Sequence, residues 1–262
     1  MADEARRVSD VLDPARASAL LSTLGDPSKI KAGDPLPAFF QHAYFWEALT
    51  PDKLGPDGHP AVGGFIPDLG FARRMWAGGA LRFHAPLRAG QEAEKVSQVI
   101  KADRKEGRAG PMGLVTVRHE FFQADKLCIT EDQDLVYLPA DFQRPPPRKA
   151  PAHAEASEQH SFTTTQLFRY SALTFNGHRI HYDLDYAKSV EGYAGLVVHG
   201  PILAQILIRM AEAQLGRLKG FRFRALVPVM HTESVMACRS GKELWIAKDD
   251  GTLCIQATAD PI

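Results

Sequence analysis

The run GPILAQILIRMAEAQLG (Gly200 to Gly216) restricts the fold more than any other stretch of this chain. Its apolar residues are nearly continuous from Ile202 to Met210, no Gly or Pro interrupts it, and Gly216 sits at a natural stop. A helix apolar on most of its faces has to be wrapped on several sides. The segments C-terminal to this helix supply a wrapping. TESVMACRS, KELWIAK and TLCIQATA alternate apolar and polar residues as half-buried strands do, and EKVSQVIKA and GLVTVRHEFF do the same earlier in the chain. The pattern predicts an α+β fold in which an antiparallel sheet curls around a helix.

The two parts of the chain also echo each other. LRFHAPLRAGQE (Leu81 to Glu92) matches FRALVPVMHTES (Phe223 to Ser234) when Pro86 is set on Pro228, which places Arg82 on Arg224. KLCIT (Lys126 to Thr130) matches TLCIQ (Thr252 to Gln256) at a different offset, and the polar stretch KADRKEGRAGPMG (Lys101 to Gly113) is the insertion that reconciles them. This predicts a duplication. The counterpart of the buried helix is hard to find, and GGFIPDLGFARRMWAGG (Gly63 to Gly79) is a candidate weakened by Pro67 and Gly70. QRPPPRKAPAHAEASEQ (Gln143 to Gln159) is too polar and Pro-rich to sustain a sheet and reads as an exposed linker. The expected division is 1–142, a linker at 143–160, and 161–262.

Charge excludes several partners. Lys+Arg and Asp+Glu both total 31, so no basic field exists to attract nucleic acid or an anionic membrane. The first residues, with Asp3 and Glu4, form neither a signal peptide nor a membrane span. Cys128, Cys238 and Cys254 cannot all pair and lack zinc spacing, so they read as buried thiols of a cytoplasmic protein.

Chemistry-bearing residues concentrate in TFNGHRIHYDLDYAK (Thr174 to Lys188) and GLVVHGP (Gly195 to Pro201). Pro201 suits the first turn of the apolar helix. The free N–H groups of that turn, with Gly200 foremost, can receive an anion or a polarised carbonyl oxygen. His181, in the preceding loop, would face them. Blander readings accompany each residue. His181 could be a hydrogen-bonded loop histidine, Asn176 and Gly177 turn formers, His199 a packed residue at the helix start, and Asp185 a cap. His178, His181, His199 and Asp183 show no close ligand set, so no metal is expected. Arg73, Arg74 and Trp76 read either as binders of coenzyme A or as surface charges beside an anchored aromatic. AFFQHAYFW (Ala38 to Trp46) reads as core.

NGHRIH (Asn176 to His181), Asp185-Tyr186-Ala187 and GLVVHG resemble, in order and spacing, the motif of the MaoC-type (R)-enoyl-CoA hydratases and 3-hydroxyacyl-thioester dehydratases. HAYFWEALTPDKLGPDGHP, RRMWAGG and LRFHAPLRAG resemble the divergent N-terminal dehydratase-like domain fused to such modules. The resemblance implies a double hot-dog, two antiparallel sheets each wrapped around a central helix and paired within one chain. It implies reversible hydration of an enoyl-CoA by His181, with Asn176 in the place of the family's catalytic aspartate and the Gly200 N–H receiving the thioester oxygen. An amide cannot take a proton, so His181 acts as base and Asn176 as positioner, unless Asp183 or His178 shares the work. The first half would be non-catalytic and accommodate the acyl group. The implied substrate is a short branched dicarboxylyl-CoA such as 3-methylfumaryl-CoA (mesaconyl-C4-CoA), whose free carboxylate Arg179 or Arg74 would meet. His199 would also contact substrate. No cofactor is implied beyond coenzyme A itself, and a homodimer is compatible with the pattern without being required. A broad dehydratase of fatty-acid synthesis and a non-catalytic acyl-CoA-binding module remain the alternatives.

Overall fold

The computed structural model describes residues 5–71, 73–107, 110–142 and 145–262. Among the described residues, ten antiparallel strands form one sheet, interleaved with four helices. In chain order these are β1 (Arg6–Val11), α1 (Pro14–Thr23), β2 (Arg73–Phe83), β3 (Glu92–Gly107), β4 (Gly110–Gln123) and β5 (Lys126–Leu138). The second part of the chain adds β6 (Ala156–His160), α2 (Thr164–Thr174), α3 (Leu184–Ser189), α4 (Gly200–Leu215), β7 (Leu218–Ala225), β8 (Val235–Ser240), β9 (Glu243–Lys248) and β10 (Leu253–Pro261).

The strand order across the sheet is β1-β3-β4-β5-β2-β7-β10-β9-β8-β6. It reads the same from either end once β1 is equated with β6, β2 with β7, and so on. That is the duplication predicted from the paired Pro and Cys anchors. Each repeat is a hot-dog sheet, and the two join edge to edge through β2 and β7, in register from Gly78 opposite Arg224 to Arg82 opposite Gly220. The insertion at 101–113 falls in the β3–β4 hairpin, whose strands run on well past the short β8 and β9. Joining the halves in this way leaves β1 and β6 as the edges of the sheet among the described residues, and both are short.

α4 lies where its composition demands. Ile202, Ala204, Leu207, Ile208 and Ala211 are fully buried, and the helix packs on β7, β8, β9 and β10. Each such Ile or Leu contributes about 1.5–3 kcal/mol of burial. In the first half the candidate helix at 63–79 does not form. β2 begins at Arg73, after an irregular segment carrying Pro67 and Gly70. The core there is filled by α1 and by the aromatic run: Phe39, Phe40 and Phe45 are buried to within 2 %. The same run is more than core, because Gln41, His42 and Trp46 also face the cavity described below.

A second expectation needs correcting. The tail of the segment read as unable to sustain a sheet, Ala156–His160, is β6, paired with β8 from Ala156 opposite Arg239 to His160 opposite Val235. An edge strand draws its hydrogen bonds from one neighbour and can leave a polar face in water, so the apolar content of 156–160 was a poor guide. Gln143 and Arg144 lie outside the described residues.

Candidate active site

α2 ends at Phe175, whose left-handed backbone (φ 52°) turns the chain sharply. The Asn176 side-chain oxygen then accepts from the His178 N–H at 3.0 Å, and a single 3₁₀ turn, Arg179–His181, comes next. Asp183 caps α3 by accepting from the Tyr186 N–H at 3.0 Å. Asp185, read as the candidate cap, sits instead in the first turn of that helix.

This loop delivers His181 to a fixed place. Its Nδ1 lies 2.7 Å from the carbonyl oxygen of Val197, and a carbonyl only accepts, so Nδ1 carries the proton. Nε2 is therefore the lone-pair nitrogen, and it has no hydrogen-bond partner among the described residues. Val197 itself donates to the Ile180 carbonyl at 2.9 Å, which ties the loop to the segment leading into α4. Burial pushes the His181 pKa down to about 4, opposed by the Val197 hydrogen bond and reinforced by the charge of His59. The ring is neutral at pH 7.

Behind His181 lies His199, fully buried, with the two rings stacked at 3.7 Å between centroids and 18° between planes. His199 Nε2 meets Ser171 Oγ at 2.8 Å. It does not line the cavity, so the expected contact with substrate is corrected: its ring is the floor on which His181 rests.

The cavity holds about 770 Å³ and is shared by both halves. Asn176, His178, His181 and Gly200 line it from the second half, and His59, Arg74 and Trp76 from the first. Gly200 opens α4, and its N–H belongs to the first-turn groups that have no acceptor within the helix. Trp76 covers it so closely that a Cβ on Gly200 would lie 2.4 Å from a ring carbon. Trp76 also stacks on Phe223 at 4.6 Å between ring centroids. The indole forms part of the cavity wall, packed against Phe223 and the start of α4.

The arginines separate. Arg74 reaches the cavity, and its buried Nη2 has no hydrogen-bond partner among the described residues. Arg73 lines only a small adjoining pocket of about 20 Å³. Arg179 faces elsewhere. It makes a two-nitrogen contact with Asp183, at 2.8 and 3.1 Å, and lies over the Tyr186 ring. An arginine committed to one carboxylate is a poor receiver for another. The same contact, with the cap, removes Asp183 as a partner in proton transfer.

Three first-half features were missed in the sequence. A loop after the turn Pro51–Lys53 docks on the loop carrying His181: the Arg179 N–H donates to the Asp57 carbonyl at 2.9 Å, and a Cβ on Gly58 would lie 2.0 Å from the Gly177 oxygen. That loop carries His59, whose Nδ1 meets the Asp57 carboxylate at 3.1 Å. Further along the cavity, Glu131 is 2 % exposed and accepts from Gln41 Nε2 at 3.0 Å and meets His42 Nε2 at 2.9 Å. Burial alone would raise its pKa, but His42, His119 and Gln41 outweigh that and hold it at about 2. Asp57, Gly58, His59 and His42 lie within the stretch HAYFWEALTPDKLGPDGHP, which carried the likeness to the first-half domain without marking any role for them, and Glu131 carries no local signal.

Asp57, His59 and His178 also place one potential ligand atom each within 4.8 Å of the others. The His59–Asp57 hydrogen bond occupies part of that set, and the positive charge of Arg74 acts on all three. The arrangement suits a hydrogen-bonded pair better than a cation.

His59, His178, His181 and His199 all have lowered pKa values, with burial the largest cause in each. Between the unfolded value of 6.5 and about 4 for His181, the unfolded chain binds more protons than the folded one. Stability therefore rises with pH across that window and is lost as pH falls through it, by about 3 kcal/mol from His181 alone. Thermal melts between pH 7.5 and 4.5 should show the midpoint dropping steeply below pH 6.5. A flat midpoint would contradict this burial of neutral rings.

Residues 39–231 match the family described as hydroxyacyl-thioester dehydratase type 2. The chain is 43% identical over 234 residues to mesaconyl-C(4)-CoA hydratase of Chloroflexus aurantiacus, covering 85% of this chain and 81% of that protein. In three dimensions it resembles HtdX of Mycobacterium tuberculosis, with a TM-score of 0.69, 17% identity and coverage of 98% and 100% of the two chains. A second Mycobacterium tuberculosis protein, described as a double hot-dog, superposes with a TM-score of 0.58 at 12% identity, over 99% and 95% of the two chains. Among the described residues no helix is long and apolar enough to cross a membrane.

Proposed function

The chain belongs to the hydroxyacyl-thioester dehydratase type 2 family, a hydratase/dehydratase by that membership, and from this premise we propose that it adds water to a short dicarboxylyl enoyl-CoA such as 3-methylfumaryl-CoA. The observation that carries the reading is that His181 and the first turn of α4 open into one cavity whose wall also presents Arg74. Placed with its thioester oxygen toward the Gly200 N–H, the substrate would turn its β carbon toward the histidines. On 3-methylfumaryl-CoA that carbon bears the free carboxylate, for which Arg74 in the cavity wall is the cationic partner we assign. Exposed Leu54, Phe168, Phe175 and Tyr182 line the same cavity and offer an apolar ledge for the pantetheine arm.

In the reaction, the lone pair of His181 Nε2 accepts a hydrogen bond from the attacking water and fixes its position. A proton leaves the water as its oxygen adds to the β carbon, and the electron pair of the double bond moves onto the thioester as an enolate. The Gly200 N–H and the positive end of α4 stabilise the enolate oxygen. A proton delivered to the α carbon then restores the thioester. Asn176 shapes the loop through its bond to the His178 N–H. The three cysteines are unpaired, in keeping with the cytoplasmic setting we assign.

The test is a substrate panel from crotonyl-CoA through longer 2-enoyl-CoAs to 3-methylfumaryl-CoA, read by loss of enoyl-thioester absorbance. The dicarboxylyl ester should have the highest kcat/KM; preference for long neutral chains would favour fatty-acid dehydration instead. Arg74→Gln should depress kcat/KM for the dicarboxylyl ester about 10–100-fold more than for crotonyl-CoA, the worth of a hydrogen bond to a charged group. Arg179→Ala should affect both esters alike. Equal losses in Arg74→Gln would overturn its assignment.

A further inference from the structure

The second half has lost its acidic partner. Asn176 cannot take a proton, its oxygen already serves the His178 N–H, and Asp183 is committed to Arg179 and the cap of α3. Among the described residues no carboxylate meets His181, whose Nδ1 is spent on a carbonyl. Across the cavity, a half-buried carboxylate and imidazole are paired on the docked loop of the first half. Asp57 Oδ2 lies 3.1 Å from His59 Nδ1, and its other oxygen accepts from the His59 N–H at 3.0 Å. His59 lines the cavity and packs against His178 at 4.2 Å between ring centroids, which in turn meets His181 at 5.5 Å.

We propose that His59, held by Asp57, is the acid–base catalyst of the hydration, supplied by the first half in place of the carboxylate that the second half lacks. The proposal rests on the hydratase reading above. An ionised Asp57 requires the proton on His59 Nδ1, so His59 Nε2 is a lone pair, as is His181 Nε2. Nε2 of His59 has no hydrogen-bond partner among the described residues. Two such acceptors match the two hydrogens of one water. The imidazole backed by a carboxylate is the one on which a positive charge is stabilised. His59 Nε2 takes one water proton as the oxygen bonds to the β carbon and the π pair shifts to the enolate. The same proton then passes to the α carbon as the enolate collapses. One O–H bond breaks, one C–O and one C–H bond form, and both histidines return to their starting state. Asp57 acts through His59 and is a positioning residue.

Four variants test this in the full-length protein: His59→Gln, His59→Ala, Asp57→Asn and the double His59→Gln/Asp57→Asn. His59→Gln should lower kcat about 100-fold, within the usual range for general acid–base catalysis, with KM for 3-methylfumaryl-CoA little changed. Asp57→Asn should lower kcat by a smaller factor, and the double variant should be no worse than His59→Gln, because the two act as one unit. Added imidazole should restore part of the turnover of His59→Ala, which a merely structural histidine would not allow. Melting midpoints and binding of the hydrated product, measured on the same preparations, separate lost chemistry from lost folding.

Turnover of His59→Gln within threefold of wild type overturns the proposal, as does a loss carried entirely by KM. So does loss of wild-type activity on dialysis against EDTA with recovery on adding zinc, since the trio at Asp57, His59 and His178 would then hold a cation. Failure of wild type on every thioester in the panel would instead sink the hydratase reading, and the dyad with it.

Discussion

Replacing His181 with alanine should cut the hydration rate about 100-fold, the loss expected when a reacting water is left out of position. The magnitude comes from how little could substitute for it. Its ring, on the second-half side of the cavity, is fixed by the Val197 carbonyl at 2.7 Å and by the stack on His199 at 3.7 Å, which leaves Nε2 to hold the water as proposed. Removing the ring leaves the reacting water held from the His59 side alone and free to rotate. Asn176 cannot compensate, because its oxygen is engaged by its own loop. The ring is buried, so the variant will also lose packing, and His181→Asn, which keeps a side-chain N–H near the Val197 carbonyl, is the control. Both should bind product while failing to turn over. If either retained more than a tenth of wild-type kcat, the site would be wrongly centred.

The second large effect is expected at Gly200. A methyl group there would sit 2.4 and 2.7 Å from two carbons of the Trp76 ring. Trp76 cannot yield easily, since it is stacked on Phe223 at 4.6 Å. Gly200→Ala should therefore displace either the indole or the first turn of α4, whose N–H is to receive the developing oxyanion. Misplacing one oxyanion donor costs about 100–1,000-fold in kcat, and overpacking adds about 1–3 kcal/mol of destabilisation. A second-site change separates the two consequences. Trp76→Leu in the Gly200→Ala background relieves the collision and should recover most of the melting midpoint and part of the rate. Wild-type turnover in Gly200→Ala alone would remove this N–H from the mechanism.

How far such residues are legible in a sequence depends on whether their signal is local. The turn at Asn176, the loop to His181 and the start of α4 lie within about 25 consecutive residues, and short-range hydrogen bonds hold them, so motif spacing carried their geometry. Arg179 lay inside that motif and was still misread. Spacing places a backbone, whereas the direction of a long side chain was decided by Asp183 one helical turn on and by Tyr186. His199 was misread for a related reason: the tertiary contacts of its ring, with Ser171 and His181, turned it inward beneath the loop.

The sequence by itself determined the wrapped helix, the alternating strands, the two matched anchors and the order of the catalytic motif, because each depends on neighbours within a turn or on periodicity along one element. Tertiary structure alone decided that the first-half candidate helix is an irregular segment ending in β2, that β6 forms an edge, and that Arg74 enters the cavity while Arg73 does not. It alone brought Asp57 and His59 to the loop that carries His181, more than a hundred residues away along the chain. The physical reason is the seam between β2 and β7. Joining two hot-dog sheets at that edge fixes which loops of one half can touch the other, and no local pattern encodes a contact that exists only once both sheets have formed.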